Sequence, residues 1–218
     1  MFQYVLFDLD GTLTDPKIGI TTCVQYALKY YGITEENLDN LTPFIGPPLK
    51  DSFMEFYDFD DKKAEEAIEK YRERFSTVGL YENEIYPSVD EMLQKLRDAG
   101  AHLAVASSKP TVFVEKILKH FHIEQYFEVV VGSELDGRRT DKEEVVSEAL
   151  RKLGVTGANR SDCAMVGDRK FDIIGAKAHK VCSVGVTYGY AGKGELEKEN
   201  PDYVASDVDS LTAFLLGE

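Results

Sequence analysis

From Pro87 onward, short apolar segments alternate with longer amphipathic segments, and this alternation limits the possible folds more than any other feature. The apolar segments predict strands at 102–106, 128–131, 163–166, 181–186 and 203–205. The amphipathic segments predict helices at 88–99, 111–121, 141–153, 170–178, 193–199 and 208–216. Strands that alternate with helices form a parallel sheet through right-handed crossovers. We therefore predict an α/β fold whose core is a doubly wound, Rossmann-like parallel sheet.

The N-terminal part of the chain differs, because one predicted strand is followed by a block that is helical throughout. Tyr4–Phe7 is apolar on both faces, which is typical of a central parallel strand. Helical spacing then occurs in three segments before residue 84, at 18–31, 48–57 and 61–77. We expect this block to be an all-helical cap domain inserted into the sheet domain. The predicted boundaries are 1–15 and 84–218 for the core, 16–83 for the cap, with hinges near 14–17 and 83–86.

The first strand ends in the sequence DLDGT, which holds Asp8 and Asp10 in a small space. Side chains two residues apart on a strand point to the same face, and a turn at Gly11 would also keep them close. Two neighbouring carboxylates repel each other unless a cation lies between them or one of them carries a proton. The sequence therefore predicts a metal site, acid–base chemistry, or both.

Polar residues also follow the other predicted strands, where ligands of doubly wound sheets bind. The strand at 102–106 is followed by SSKP, and the strand at 163–166 is followed by GDRKFD. Lys142 lies at the start of the helix that comes after the strand at 128–131. Acids, hydroxyls and a lysine at one edge of a sheet fit a phosphate group bridged to a divalent cation. Oxygen ligands favour a hard ion such as Mg²⁺.

Charge and cysteine content exclude several classes of partner and location. The formal net charge of −14 argues against nucleic-acid polymers and anionic membranes, both of which require basic surfaces. No apolar run has the length of a membrane span, and the N-terminus lacks the pattern of a cleavable export signal. Three scattered cysteines are typical of a reducing compartment. We expect a cytoplasmic protein that is a monomer or a small homo-oligomer.

Four motifs occur in a fixed order: DLDGT, a strand that ends at Ser107, an isolated Lys142, and GDRKFD. With these motifs, the whole chain resembles the haloacid dehalogenase (HAD) superfamily of phosphohydrolases with an inserted helical cap of the C1 type. The resemblance implies a Mg²⁺-dependent phosphatase that hydrolyses a small-molecule phosphomonoester through an aspartyl-phosphate intermediate. Asp10 stands two residues after Asp8, where the phosphatases and phosphomutases of this superfamily also carry an acid. ATPase pumps and dehalogenases lack an acid at that position.

The resemblance also implies a role for each motif residue. Asp8 would be the nucleophile, and Asp10 would be the general acid and then the general base. Lys142 would neutralise charge on the phosphoryl group and hold Asp8 in place. Asp168 would bind Mg²⁺ together with Asp8 and the backbone carbonyl of Asp10, while Asp172 would be a further ligand or would orient one. The implied phosphate-binding residues are Gly11, Thr12, Ser107, Ser108 and Lys142.

Finer features of the resemblance point to two branches of the superfamily. The segments VTYGYAGKGEL (186–196) and NPDYVASDVDSL (200–211) are similar to the phosphoglycolate phosphatase-like group. FIGPPLKDSF (44–53) and GDRKFDIIGA are similar to a 5′-nucleotidase-like branch, and SSK in place of TNK departs from the phosphoglycolate pattern. We therefore expect a nucleoside monophosphate or a phosphoglycolate-like metabolite as substrate. The cap residues expected to contact its leaving group are Gly46, Pro47 and Pro48.

Two further hypotheses come from other functional classes. A phosphomutase of the β-phosphoglucomutase type would return the phosphoryl group to another hydroxyl, and it would require a bisphosphate activator. A receiver-like phospho-acceptor protein would also use an acidic pocket and Mg²⁺, without being an enzyme. That fold carries its acceptor on a later strand and has no large insertion after the first, so Asp8 argues against it. The motifs leave the roles of Lys109 and Arg169 undecided.

Overall fold

The computed structural model describes residues 1–218, and the chain forms two compact units. The first unit comprises Met1–Thr14 and Ile85–Glu218, and the second comprises Asp15–Glu84. The second unit is therefore an insertion between the first strand and the rest of the first unit.

Eight strands follow one another along the chain: β1 (Tyr4–Phe7), β2 (Thr14–Asp15), β3 (Glu84–Ile85), β4 (His102–Pro110), β5 (Val129–Ser133), β6 (Cys163–Gly167), β7 (Cys182–Val186) and β8 (Tyr203–Ala205). Six of them form one sheet in the order β5-β4-β1-β6-β7-β8, and every neighbouring pair is parallel. In the centre of this sheet, Leu6 of β1 pairs with Ala104 of β4 and Met165 of β6. This parallel sheet confirms the predicted α/β fold class. Because all its strands run the same way, their carboxyl ends meet at one edge. The remaining two strands, β2 and β3, pair in a separate two-stranded sheet where the chain passes between the units.

Nine α-helices accompany the strands: α1 (Lys17–Tyr30), α2 (Leu49–Tyr57), α3 (Asp61–Phe75), α4 (Val89–Asp98), α5 (Thr111–His120), α6 (Lys142–Lys152), α7 (Lys170–Ala178), α8 (Glu195–Lys198) and α9 (Val208–Leu216). Helices α4 to α9 belong to the first unit. Helix α6 begins after Asp141, whose side chain accepts a hydrogen bond of 2.8 Å from the Glu143 N–H. Such an N-cap stabilises a helix by about 1 kcal/mol. The cap therefore fixes Lys142 as the first residue of α6.

One part of the core in the first unit lies between the sheet and helices α6 and α7. Its buried residues come from the central strands and from the apolar faces of both helices, among them Leu6, Val131, Val145, Val146, Leu150, Met165 and Ala176. Alternate residues of each strand face this side of the sheet and pack against the two helices. Because protein interiors are close-packed, this packing holds β1, β4 and β6 as one rigid layer. The carboxyl edge of that layer carries the candidate site.

Truncation of Leu6 tests this packing. Leu6 is fully buried, so we expect Leu6→Ala to lower the free energy of unfolding by about 2–5 kcal/mol, because it leaves a cavity in the rigid layer. The measurement is urea denaturation followed by circular dichroism. Val204→Ala is the control, since that side chain is 41% exposed and we expect a change below about 0.5 kcal/mol. An equal loss in the free energy of unfolding for both substitutions would contradict the burial of Leu6 in the core.

The second unit is helical, with α1, α2 and α3 joined by 3₁₀ helices at Leu38–Phe44 and Gly79–Tyr81. Gly19 of α1 permits close approach of backbone, because a Cβ there would lie 2.1 Å from the Gly79 carbonyl oxygen. Arg74 of α3 makes two hydrogen bonds to Glu82, at 2.6 and 2.8 Å. The first contact holds the 3₁₀ helix Gly79–Tyr81 against α1. The second ties α3 to Glu82, which follows that 3₁₀ helix.

The structure differs from the sequence-based expectations in a few places. Strand β4 continues to Pro110 rather than ending at 106, and its register with β5 shifts between Ala106 and Pro110. The 3₁₀ helix Leu38–Phe44 was not predicted, since it is short and lacks a regular apolar spacing. No helix in the structure combines the length and the apolar character that crossing a bilayer requires.

Candidate active site

The DLDGT segment forms a tight turn at the carboxyl end of β1. The Asp8 N–H donates a hydrogen bond of 2.9 Å to the carbonyl of Val166, so the chain stays tied to β6 for one residue beyond the strand. Gly11 then turns the chain with φ of +78°, a conformation that favours glycine. A Cβ at Gly11 would lie 2.1 Å from the Asp168 carboxylate. The turn therefore brings the first motif directly against the last one.

Three buried carboxylates meet beside this turn: Asp8, Asp168 and Asp172. One oxygen of each lies within 4.8 Å of the others, and none of the three residues is more than 4% exposed. Asp172 reaches the site from the first turn of α7, and Gly167 leaves room for it, because a Cβ at Gly167 would lie 2.0 Å from the Asp172 Cγ. Asp168 Oδ2 accepts a hydrogen bond of 2.7 Å from the Tyr190 N–H. Its other oxygen, Oδ1, is buried without a hydrogen-bond partner.

Lys142 provides the positive charge of this cluster. Its Nζ lies 3.0 Å from Asp8 Oδ2 and 2.9 Å from Asp172 Oδ1. It also donates a hydrogen bond of 3.1 Å to the carbonyl of Ala106, at the point where β4 loses its regular register. The ammonium is therefore held by α7, β1 and β4 together, and its position is fixed before any substrate binds.

Burial controls the ionisation of the cluster. It raises the pKa of Asp168 well above its ordinary value, and the charges of Asp172 and Asp8 add to this effect. Burial also raises the pKa of Asp172, although the charge of Lys142 partly offsets it. Burial alone would lower the pKa of Lys142, but the carboxylates of Asp172 and Asp8 raise it above its ordinary value. Lys142 therefore stays protonated, whereas Asp168 and Asp172 hold their protons more tightly than ordinary aspartates do.

This arrangement fits a divalent cation. The donors are all hard carboxylate oxygens, which suit such an ion, and Asp168 Oδ1 is a buried acceptor that no protein group satisfies. A bound cation would also offset the negative charge that these carboxylates carry when they are ionised. The side chains that could hold the ion are those of Asp8, Asp168 and Asp172.

The Asp10 carboxylate is not part of this group of three side chains; the sequence analysis named Asp10 as a metal ligand through its backbone carbonyl. Its Oδ2 instead lies 2.8 Å from Lys109 Nζ, in an ion pair whose side chains are less than a tenth exposed. Its Oδ1 is buried without a hydrogen-bond partner. The Asp10 carboxylate therefore has one oxygen in a buried ion pair and one oxygen without a protein partner.

The other residues named from the sequence lie in two places. Ser107 is buried, and its Oγ accepts a hydrogen bond of 3.4 Å from the Lys109 N–H; Ser108 follows it in the irregular part of β4 and is half-buried. Thr12 is fully buried, and its Oγ1 has no hydrogen-bond partner. The cap residues Gly46, Pro47 and Pro48 belong to the second unit, in the turn between the 3₁₀ helix Leu38–Phe44 and α2.

The loop after β7 supports the site and was not predicted to do so. The Tyr188 hydroxyl donates a hydrogen bond of 3.0 Å to the Thr12 carbonyl, and the Tyr190 N–H binds Asp168 as described above. Gly189 lies between them, and a Cβ there would be 2.3 Å from the Gly11 carbonyl oxygen and 2.4 Å from the Asp168 Cβ. Glu195 closes the loop with a hydrogen bond of 2.9 Å from the Arg169 Nε. The sequence signal was the spacing of glycines at 189, 192 and 194, which matches no phosphate-binding motif.

Comparison with known proteins places this geometry in a family. Residues 5–186 match the haloacid dehalogenase-like hydrolase family. A 5′-nucleotidase of Pseudomonas aeruginosa is 45% identical over 214 residues, which cover 98% of this chain and 96% of that protein. The tyrosine-protein kinase PtkA of Mycobacterium tuberculosis is 38% identical over 98% of this chain and 72% of its own length. A phosphoglycolate phosphatase of Vibrio parahaemolyticus is 31% identical over 96% of this chain and 94% of its length.

Solved structures agree with the sequence relatives. The crystal structure of a predicted phosphatase from Clostridium acetobutylicum superposes with a TM-score of 0.95 at 44% identity, and each chain is covered completely. These matches confirm the predicted superfamily and the predicted enzyme class, and they decide against the receiver-like alternative. The chain belongs to the haloacid dehalogenase-like hydrolase family.

Proposed function

We propose that this protein is a Mg²⁺-dependent phosphatase that hydrolyses a small phosphomonoester through an aspartyl-phosphate on Asp8. The observation that supports this most strongly is the buried cluster in which Lys142 lies within 3.0 Å of Asp8 and within 2.9 Å of Asp172, beside Asp168. Phosphoryl transfer depends chiefly on positioning and on neutralisation of charge. The cluster offers a fixed nucleophile, a fixed ammonium and three oxygen donors for a cation.

The proposed reaction has two displacements at phosphorus. The Asp8 carboxylate forms a bond to phosphorus, the bond to the alcohol oxygen breaks, and Asp10 donates a proton to that oxygen. Water then attacks phosphorus, Asp10 accepts its proton, and the bond between phosphorus and Asp8 breaks. Lys142 neutralises negative charge on the phosphoryl oxygens in both steps, and Ser107 donates a hydrogen bond to one of them in this proposal. A bound Mg²⁺ at the three carboxylates would supply further neutralisation of that charge.

Nucleoside 5′-monophosphates are the first proposed substrate class. The support is the 5′-nucleotidase name of the Pseudomonas relative, which aligns over nearly the whole chain at 45% identity. Phosphoglycolate is the second candidate, because a phosphatase of that name is 31% identical over a similar length. Gly46, Pro47 and Pro48 remain the proposed cap contacts to the leaving group. The proposed location is the cytoplasm, on the basis of cysteine usage.

A substrate panel tests the proposed function. Purified protein with Mg²⁺ is incubated with nucleoside 5′-monophosphates, nucleoside 3′-monophosphates, phosphoglycolate and hexose phosphates, and released phosphate is measured. We expect the 5′-monophosphates to give the highest kcat/KM and a chelator to abolish turnover. Preference for phosphoglycolate would replace the first substrate class by the second. Absence of hydrolysis for every ester, or full activity in the presence of the chelator, would contradict the proposal.

Mg²⁺ affinity also depends on the loop after β7. A methyl group added at Gly189 would lie 2.4 Å from the Asp168 Cβ, so the Asp168 carboxylate or the Gly11 turn must move. We expect Gly189→Ala to weaken Mg²⁺ binding by about 10- to 100-fold, as loss of a group that orients a ligand does, when measured by isothermal titration calorimetry. Gly157→Ala is the matched control, because no atom lies within 4 Å of the added methyl group. Unchanged affinity for Gly189→Ala would show that this loop does not position the metal ligands.

A further inference from the structure

Lys109 is a buried lysine beside the active site to which neither the motifs nor the proposed mechanism gives a role. Its Nζ lies 2.8 Å from Asp10 Oδ2, and its side chain is 7% exposed. A lysine is rarely buried to this extent without a specific partner. Asp10 is that partner, and it is the residue that handles the proton in the proposed mechanism.

The backbone that carries Lys109 is also fixed. It lies in the irregular part of β4, after the regular pairing of Ala104, Val105 and Ala106 with β5 has ended. Gly132 of β5 permits this path, because a Cβ there would lie 2.3 Å from the Lys109 carbonyl oxygen and 2.6 Å from the Thr111 nitrogen. The strand irregularity is thereby held between β5 and the start of α5. Bulges of this kind commonly redirect a side chain towards a functional site.

The ion pair makes the two oxygens of Asp10 different. Oδ2 is engaged by Lys109, whereas Oδ1 is buried without a hydrogen-bond partner. Because a carboxylate held at one oxygen can no longer rotate freely, the orientation of the other oxygen is set as well. Oδ1 is therefore the oxygen that remains available to exchange a proton with the alcohol or with water.

We propose that Lys109 is a positioning residue that holds Asp10 Oδ2 and thereby directs Asp10 Oδ1 to the leaving-group oxygen. This inference rests on the proposed function, in which Asp10 protonates that oxygen. Lys109 itself exchanges no proton and makes no bond to phosphorus. In the first displacement, its contribution is consequently limited to esters whose alcohol needs a proton in order to leave.

Two esters with different leaving groups distinguish positioning of Asp10 from a contribution that is the same for every substrate. A nucleoside 5′-monophosphate releases an alkoxide that must be protonated, whereas p-nitrophenyl phosphate releases a stable phenolate. The ratio kcat/KM includes only the steps through departure of the leaving group, so it isolates the first displacement. A positioned general acid contributes about 10²–10⁴ in rate. We expect Lys109→Met to lower kcat/KM for the nucleotide by about 10²-fold and for p-nitrophenyl phosphate by less than about threefold.

A double-mutant cycle tests whether the effect passes through Asp10. If Lys109 acts only by placing the Asp10 carboxylate, Lys109→Met should add nothing once that carboxylate is gone. We expect Asp10→Asn and the double variant to hydrolyse the nucleotide at the same rate, within about twofold. Additive losses would show that Lys109 acts on something other than Asp10, and they would overturn the inference.

Two controls complete the test. Arg97→Met removes the ion pair with Glu128, near the opposite edge of the sheet where His102 begins β4, and we expect no change in the ratio of the two esters. Should Lys109→Met fail to fold, Lys109→Gln removes the same charge and is judged by the same ratio. Equal losses for both esters, or a rise in KM alone, would assign Lys109 to phosphate binding and overturn the inference. Wild-type protein inactive on both esters, or full nucleotide hydrolysis by Asp10→Asn, would instead contradict the proposed function.

Discussion

Asp8→Asn is expected to lower kcat by at least about 10⁴-fold while the protein remains folded. The carboxylate is the group that bonds to phosphorus in the proposed mechanism, and an amide at the same position is a far weaker nucleophile. The substitution also replaces one of the three carboxylates proposed for the cation by a neutral amide. Both effects act on the chemical step, so loss of activity is expected with every substrate.

Retention of the fold follows from the contacts of Asp8. Its backbone N–H donates to Val166, and its Oδ1 accepts a hydrogen bond of 2.7 Å from the Leu9 N–H, which an asparagine oxygen can also accept. Lys142 keeps its ion pair with Asp172, and one of three mutually repelling carboxylates is removed. The loss of the contact between Asp8 and Lys142 opposes this relief of repulsion, so thermal unfolding should show a midpoint close to that of the wild type. Normal turnover by a folded Asp8→Asn variant would exclude Asp8 as the nucleophile.

Lys142→Met is expected to reduce both activity and stability. Loss of the fixed ammonium should lower kcat by about 10²–10³-fold, as loss of one positioned charge-stabilising group does. The change also leaves Asp8 and Asp172 buried without their cation. Removal of one partner from a buried ion pair costs about 3–5 kcal/mol of stability. The measurements are steady-state kinetics and urea denaturation.

Lys152→Met is the control for that experiment. Lys152 lies at the other end of α6, is partly exposed, and approaches Glu148 only to 3.9 Å, so we expect a stability change below about 0.5 kcal/mol and unchanged kcat. A Lys142→Met variant as stable as this control would contradict the described charge cluster. One that is less stable but fully active would separate Lys142 from catalysis.

The position of the candidate site could be predicted from the sequence because parallel strands end at one edge. Asp8 follows β1, Asp168 follows β6, and these strands are direct neighbours in the sheet. The apolar runs were long enough to identify both strands, and the acids came immediately after them. The shared edge follows from parallel strands alone, whereas the direct pairing of β1 with β6 and the approach of the acids to within 4.8 Å came from the structure.

The contacts that hold Asp10 and Asp168 in position could not be predicted from the sequence in the same way. The ion pair of Lys109 depends on a register shift in β4 and on the absence of a side chain at Gly132, and neither is visible in a pattern of apolar residues. The hydrogen bond from the Tyr190 N–H to Asp168 joins positions that are 22 residues apart through a loop without regular structure. Contacts of this kind arise from tertiary packing, which local spacing does not encode.

The most direct test of the central claim is to identify the atom that carries the phosphoryl group between the two displacements. In Asp10→Asn, p-nitrophenyl phosphate can still phosphorylate the enzyme because its leaving group needs no proton, while attack by water has lost its general base. We therefore expect a burst of p-nitrophenol and, after acid quenching, a mass spectrum with one phosphoryl group on the peptide that contains Asp8. A burst without that modification, or a phosphoryl group on another residue, would contradict the account.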